Sequence, residues 1–331
     1  MNIAILGSGG WGTALAVHLN ALGHSVTLWS HSREKAAEMC RSRVNPLLKE
    51  CLLPESISVT GEIRDISHAE LVVFASPSFA VRAVARLAAP CLRERAVLLS
   101  VTKGIEKDTQ LRMSEIIAEE TGGAYPVAAL SGPSHAEEVA KGLPTGCVAA
   151  CVDKHVAELI QDVFMSPVFR VYTSPDIIGV ELCGAMKNVI ALCCGISDGM
   201  GYGDNTKALL MTRAMNEMAC LGEAMGGTKI SFSGLAGMGD MIVTCTSMHS
   251  RNRRAGILIG RGRSIAQAME EIGAVVEGYY AAESAFALGQ KLKLPMPICS
   301  AVYDILYRGA EPRAMVNALM LRDKKEESSW V

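Results

Sequence analysis

Apolar and polar positions divide the chain into two halves of different rhythm. In the first half, short apolar runs at residues 2–6, 25–29, 71–75, 96–101 and 127–130 are separated by longer helical patterns, including 13–22 and one from 33 to about 43. Runs at 145–152 and 168–172 read as further strands. Continuous apolar runs, rather than alternating ones, are what a strand buried on both faces of a parallel sheet requires. From Ile177 onward no strand pattern remains. Asp204-Asn205 caps a helix to about Leu221, with Arg213 and Glu217 four apart as an ion pair, and Gly226-Gly227 breaks it. Ser264 caps a helix to Ile272, another covers 278–292, and a third covers 298–307. Pro312 opens a last helix as a first-turn proline, and the polar tail 322–331 is expected to fray. The pattern predicts an α/β Rossmann-type N-terminal domain over 1–176 and an all-α C-terminal domain over 177–331, divided at Pro175-Asp176.

The first apolar run ends in Gly7-Ser-Gly9-Gly-Trp-Gly12, which satisfies G-x-G-x-x-G between a strand and a helix. Gly7 permits the tight turn, Gly9 admits a pyrophosphate close to the backbone, and Gly12 lets the helix approach the sheet. The helix N-terminus offers free N–H groups to phosphate. A glycine-rich turn without a ligand is the alternative. The second strand ends in Trp29-Ser-His-Ser-Arg33, with no acid before Glu34. A carboxylate there would mark NAD; its absence leaves room for a 2′-phosphate against Ser30, His31 and Arg33, so NADP is expected to be accepted as well as NAD.

The chain has 331 residues, half of them apolar and a fifth charged, which suffices for two globular domains. A formal net charge of -2 argues against nucleic acid as a partner. No export signal and no membrane-length apolar run is read from the sequence, so a cytoplasmic protein is expected. Its 11 cysteines then read as reduced core thiols, without the spacing of a metal site.

One charged residue stands inside the apolar stretch 180–192. Lys187, followed by Asn188, has only Cys183, Gly184, Ile190 and Ala191 as helical neighbours, none of which can pair with an ammonium. Burial of an unpaired lysine is costly. Either the side chain snorkels to water, or Lys187 is an acid–base group facing a substrate. Lys103, at the C-terminal end of a predicted strand, is a second candidate, with an exposed loop lysine as the alternative. Ser131-Gly-Pro-Ser-His-Ala-Glu-Glu138 repeats the strand, turn and helix arrangement and suits an anion or a nicotinamide. Asp240 closes a glycine-rich turn, where it reads as a helix N-cap or a site acid. Ser250-Arg-Asn-Arg-Arg254, the densest basic cluster in the chain, forms either a phosphate site or a solvated face.

Taken together, these residues resemble the bacterial-type NAD(P)-dependent glycerol-3-phosphate dehydrogenases over nearly the whole length. The resemblance is carried by Gly7–Ala16, Ser131–Glu138, Gly184-Ala-Met-Lys-Asn-Val-Ile190, Gly237-Met-Gly-Asp240, Thr244-Cys-Thr246, Ser250-Arg-Asn-Arg253 and Val275-Val-Glu-Gly278. Residues 41–54 and Ala75-Ser-Pro-Ser78 depart from the family's usual run. The resemblance implies that Lys187 is the catalytic acid–base. It implies substrate contacts from Lys103, Gly132, Ser134, Lys187, Asp240, Ser250, Arg251 and Asn252. Gly10, Trp11, His31, Lys103, Ala136, Arg251, Val275 and Glu277 would join Gly7, Gly9 and Gly12 around NADP or NAD, with no metal.

The activity so implied is reversible reduction of dihydroxyacetone phosphate to sn-glycerol 3-phosphate, a glycerophospholipid precursor. Asp240 would orient Lys187, and Ser250, Arg251 and Asn252 would hold the phosphate. A homodimer is left open. Two rivals stand beside this reading: another two-domain hydroxy-acid dehydrogenase, and a non-catalytic NADP-binding sensor.

Overall fold

The computed structural model describes residues 1–324, 326 and 327. The part of the expected frayed tail at 325 and 328–331 lies outside the described residues. The chain forms two compact units: Met1–Lys103 with Leu111–Ile177, and Gly104–Gln110 with Ile178–Val331. The short return of 104–110 to the second unit is not visible in the apolar pattern. It is secured there by Ser284, whose hydroxyl donates to the Ile105 carbonyl at 3.2 Å, and by Lys107 paired with Glu283 at 3.2 Å.

The first unit is an eight-stranded sheet. Its strands are β1 (Asn2–Leu6), β2 (Ser25–Trp29), β3 (Ser58–Thr60), β4 (Leu71–Phe74), β5 (Val97–Ser100), β6 (Val127–Ser131), β7 (Thr145–Ala150) and β8 (Phe169–Ser174). Their spatial order is β3-β2-β1-β4-β5-β6-β7-β8, parallel throughout except that β7 is antiparallel to β6. The helices are α1 (Gly10–Ala21), α2 (Arg33–Ser42), α3 (Val81–Ala88), α4 (Met113–Glu120), α5 (Ala136–Ala140) and α6 (Lys154–Phe164).

The two-residue period of the strands splits the core. Ile3, Ile5, Leu71, Val73 and Leu99 pack with α1 and α6 on one face, while Ala4, Leu6, Val72, Phe74 and Leu98 pack with α3 and α4 on the other. The strand order reverses between β1 and β4. An open α/β sheet binds ligands at such a switch point, beyond the carboxyl ends of the strands. The β1 turn carrying the glycine motif lies there.

The second unit is helical: α7 (Ile177–Gly199), α8 (Asp204–Ala224), α9 (Lys229–Phe232), α10 (Asp240–Thr246), α11 (Arg251–Gly260), α12 (Ile265–Ile272), α13 (Glu277–Leu292), α14 (Pro297–Arg308) and α15 (Pro312–Met320). α7 is long and apolar enough to cross a membrane by length and composition, but 83% of its most apolar window is buried inside the protein. It is a core helix, apolar at every phase because other helices cover it all round. α7 and α11 cross where Gly195 and Gly199 meet Gly256 and Gly260. A Cβ at any of the four would overlap a backbone carbonyl of the opposite helix: Arg253, Ile257, Leu192 and Ile196 respectively. These glycines let the two backbones approach to touching distance, which brings the start of α11 against the Lys187 helix.

Two local expectations are corrected. Gly203, not Asp204-Asn205, is the N-cap of α8, and Asp204 is its first helical residue. Glu217 does not turn along the surface toward Arg213. It is 5% exposed, and its two carboxylate oxygens accept from the backbone N–H groups of Ile298 and Cys299 at 2.8 and 3.1 Å. Pro297 heads α14, so these N–H groups lack intrahelical acceptors, and the buried carboxylate supplies them.

Candidate active site

In the first unit the glycine motif is built for close approach. Gly7 has φ +133°, and a Cβ on it would lie 2.7 Å from the Ala75 carbonyl carbon. A Cβ on Gly12 would overlap the Gly7 carbonyl oxygen, so α1 starts hard against the end of β1. A Cβ on Gly9 would meet nothing within 4 Å, so that backbone face is open. The first turn of α1 carries no acid. An open glycine face beside the free N–H groups of an uncompensated helix start fits a pyrophosphate. Gly10 lies against Ala136, whose Cβ would be 3.8 Å from a Cβ added there. Trp11 is half-buried, with its indole N–H buried and without a hydrogen-bond partner. His31 is exposed, edge-on to Trp29.

Lys103 leaves the end of β5 and donates to the Gly132 carbonyl at 2.9 Å and the Ser134 hydroxyl at 3.3 Å. Ser134 in turn donates to the Gly132 carbonyl at 2.9 Å. The structure thus brings Lys103, Gly132 and Ser134 together beyond the adjacent strands β5 and β6. Ser134 does not cap a helix: the N-cap of the short α5 is His135, with Ala136 its first residue.

In the second unit Lys187 is 6% exposed and does not snorkel. Its Nζ lies 2.9 Å from Asp240 Oδ1 and donates to Thr244 Oγ1 at 2.7 Å. The partner that the helix itself could not supply therefore comes from α10. Asp240 is 1% exposed. It is not an N-cap: it is the first residue of α10, directly after a π-helical turn over Leu235–Gly239. Thr244 Oγ1 sits one turn further along, 3.2 Å from Asp240 Oδ1.

The basic cluster separates into different fates. Ser250 is buried and caps α11, its hydroxyl accepting from the Arg253 N–H at 3.2 Å. Arg251 is exposed at the first helical position. Asn252 is committed inward: its carbonyl oxygen accepts from the Gly278 N–H at 2.8 Å and its amide donates to Asn188 Oδ1 at 2.9 Å. Asn188 donates onward to the Gly184 carbonyl at 3.3 Å. Arg253 is not open to an anion. It holds Asp198 through Nε at 2.9 Å and Nη2 at 2.7 Å, and the Thr246 carbonyl at 2.8 Å. Val275 lines a cavity of about 460 Å³ with Ile265, Met269 and Tyr279, and Glu277 is the first residue of α13.

The two halves of the chain match the two parts of one family model. Residues 2–157 match the NAD-dependent glycerol-3-phosphate dehydrogenase N-terminus, and residues 176–317 match its C-terminus. The chain belongs to the glycerol-3-phosphate dehydrogenase family. A Fusobacterium nucleatum relative, named as a glycerol-3-phosphate dehydrogenase acting with NAD(P)+, is 48% identical over 100% of both chains. A Moorella thermoacetica relative of the same name is 49% identical over 98% of this chain and 97% of its own. The crystal structure of glycerol-3-phosphate dehydrogenase from Coxiella burnetii is 37% identical, with a TM-score of 0.93 over 97% of this chain and 99% of that one. A ketopantoate reductase from Ralstonia eutropha shares the fold, with a TM-score of 0.62 at 17% identity.

Three further residues, without a local sequence signal for their contacts, touch the candidate site residues. Asn45, 1% exposed, donates to the Ser8 carbonyl at 3.0 Å and to Thr13 Oγ1 at 2.6 Å, tying the irregular stretch after α2 to the glycine turn. The dipeptide Asn45-Pro46 is of a kind that marks turns, but nothing local says what such a turn would hold. Thr244 belongs to a motif shared with the family, but nothing local in the sequence points its hydroxyl at Lys187. Glu62, two residues beyond the end of β3, places a carboxylate on Arg33. It is far from Arg33 in sequence and gave no signal.

Proposed function

We propose that the chain catalyses reversible reduction of dihydroxyacetone phosphate to sn-glycerol 3-phosphate, with Lys187 as the acid–base. The observation that carries this reading is the buried Lys187–Asp240–Thr244 cluster, with Nζ 2.9 Å from the carboxylate and 2.7 Å from the hydroxyl. A buried ammonium without a partner would be prohibitively costly; Asp240 compensates it and fixes the direction of Nζ. NADH or NADPH, when bound, supplies the hydride.

The protein's own groups do the rest. Gly7, Gly9 and Gly12 with the start of α1 hold the pyrophosphate, and Asn45 keeps the Ser8 carbonyl turned away from it. Lys187 delivers a proton from Nζ to the alkoxide that develops at C2 during reduction, and takes it back during oxidation. Thr244 and Asp240 keep Nζ on one line throughout. Arg251 and the N–H groups at the start of α11 bind the substrate phosphate, with Ser250 holding that start in shape. Asn252, anchored by Gly278 on its carbonyl oxygen and by Asn188 on one amide N–H, stands beside Arg251 at this start and joins it on the phosphate.

The test is oxidation of NADPH and NADH with dihydroxyacetone phosphate, against unphosphorylated dihydroxyacetone as control. Turnover that depends on the phosphate supports the reading. Cofactor binding with no oxidation of either substrate would overturn it in favour of a hydroxy-acid reductase or a sensor.

A further inference from the structure

The loops that follow β2 and β3 meet at one corner of the sheet. Trp29 and Thr60 are register partners, and the Ser30 N–H donates to the Thr60 carbonyl at 2.9 Å. From the β2 side comes Arg33, the first residue of α2, placed by the Ser32 cap. From the β3 side comes Glu62. Its N–H donates to Thr60 Oγ1 at 3.0 Å, and that hydroxyl donates to Asp65 Oδ2 at 2.5 Å, so the turn carrying Glu62 is fixed. Gly61 between them is required: a Cβ there would lie 2.8 Å from Arg33 Cα and Cγ, so the arginine stem crosses the glycine. The guanidinium then meets the carboxylate along one edge, Nε to Oε1 at 2.9 Å and Nη2 to Oε2 at 2.9 Å.

Resting on the nucleotide site proposed above, we infer that Glu62 is a cofactor-selectivity residue: paired with Arg33, it holds down affinity for a 2′-phosphorylated dinucleotide. The end of β2 is where a Rossmann site meets the adenosine ribose, and an arginine there accommodates a 2′-phosphate. Glu62 acts against that in two ways. It occupies the Nε–Nη2 edge, the fork that would otherwise grip a phosphate bidentately. It also sets a like charge beside any dianion that reaches the remaining N–H groups. The 2′-hydroxyl of NAD brings no charge and does not compete for the guanidinium. The carboxylate missing from the end of β2 is thus supplied from β3, through an arginine. Both side chains are more than half exposed, 76% and 54%, so the effect is modest and screened by salt.

The experiment measures dissociation constants of NADPH, NADH and adenosine 2′-monophosphate by calorimetry, at low and high salt. It compares the full chain with Glu62→Gln, Arg33→Ala and the double variant. Glu62→Gln should tighten NADPH and adenosine 2′-monophosphate relative to NADH by roughly fivefold at low salt, and less at high salt. Arg33→Ala should weaken both 2′-phosphates and abolish the gain from Glu62→Gln. An NADPH-to-NADH ratio that Glu62→Gln leaves unmoved overturns this inference while leaving the nucleotide site standing. The same gain with and without Arg33 overturns it too, because the pair would then not be the device. Failure of the unaltered chain to bind either dinucleotide would overturn the site and this inference together.

Discussion

Lys187 Nζ stands 2.9 Å from Asp240 Oδ1, and the two side chains are 7% and 2% exposed. Fifty-three positions separate them in sequence, and they come from the middle of one helix and the first residue of another. Truncating a buried ion pair leaves a charge without compensation, at a cost of about 3–5 kcal/mol. Lys187→Ala should therefore lower the melting temperature as well as kcat, the latter by roughly 10²–10⁴-fold. Asp240→Asn, which keeps shape but leaves the Lys187 ammonium without its counter-charge, should likewise lower both stability and kcat. Cofactor dissociation constants, measured alongside turnover, should stay near those of the unaltered chain in both. Near-normal turnover in Lys187→Ala would remove it as the acid–base.

Arg251 and Arg253 sit two residues apart and should behave differently. Arg251→Ala should raise KM for dihydroxyacetone phosphate about tenfold or more, through loss of a charge-assisted contact to phosphate. Arg253→Ala should act on stability, since its guanidinium is held by Asp198 and the Thr246 carbonyl. Steady-state kinetics with urea titrations separate the two. Equal KM effects would contradict the division.

The glycine crossing of α7 and α11 should tolerate no added methyl. Gly256→Ala places a Cβ onto the Leu192 carbonyl and 2.8 Å from the Ile196 nitrogen. Backbone cannot yield as a side-chain tip does, so destabilisation of about 1–3 kcal/mol or more is expected. Gly203→Ala is the comparison: its Cβ would meet nothing within 4 Å, so only the smaller N-cap preference for glycine over alanine is lost. Urea midpoints of the two variants should differ clearly.

Glu217 should make stability depend on pH. Burial outweighs the Ile298 and Cys299 N–H bonds and raises its carboxyl from 4.5 to about 7. Between those values the folded chain binds the proton that the unfolded chain has released. Stability should therefore fall as pH rises through that window, by about 3 kcal/mol once pH passes 7. Glu217→Gln should flatten the fall between pH 5 and 8. An unchanged slope in thermal melts across that range would refute the assignment.

The glycine motif was legible because its chemistry is local: turn, open backbone face and helix start all lie within Gly7–Gly12. The cap at Ser264 was legible for the same reason, its hydroxyl accepting from the N–H three residues on; the cap at Ser250 was hidden inside a run that reads as a charge cluster. Glu217 was misread because its spacing to Arg213 is a surface rule, and the residue is inside. Among the arginines of the basic cluster only Arg253 is shown to be taken up by another partner: charge density along the chain does not say that Asp198 will hold it.

Local rules of period, turn and cap therefore settled seven of the eight strands, though not β3, along with several helices, where the nucleotide turn lies, and that Lys187 falls on an apolar helix in need of a partner. The partners themselves were set by folding: Asp240 and Thr244 for Lys187, Asn45 for the Ser8 carbonyl, Glu62 for Arg33. Periodicity describes what a residue's neighbours along the chain demand. Compensation of a buried charge, or restraint of an exposed one, is a matter of a few ångströms, and those distances exist only once helices and strands remote in sequence have packed.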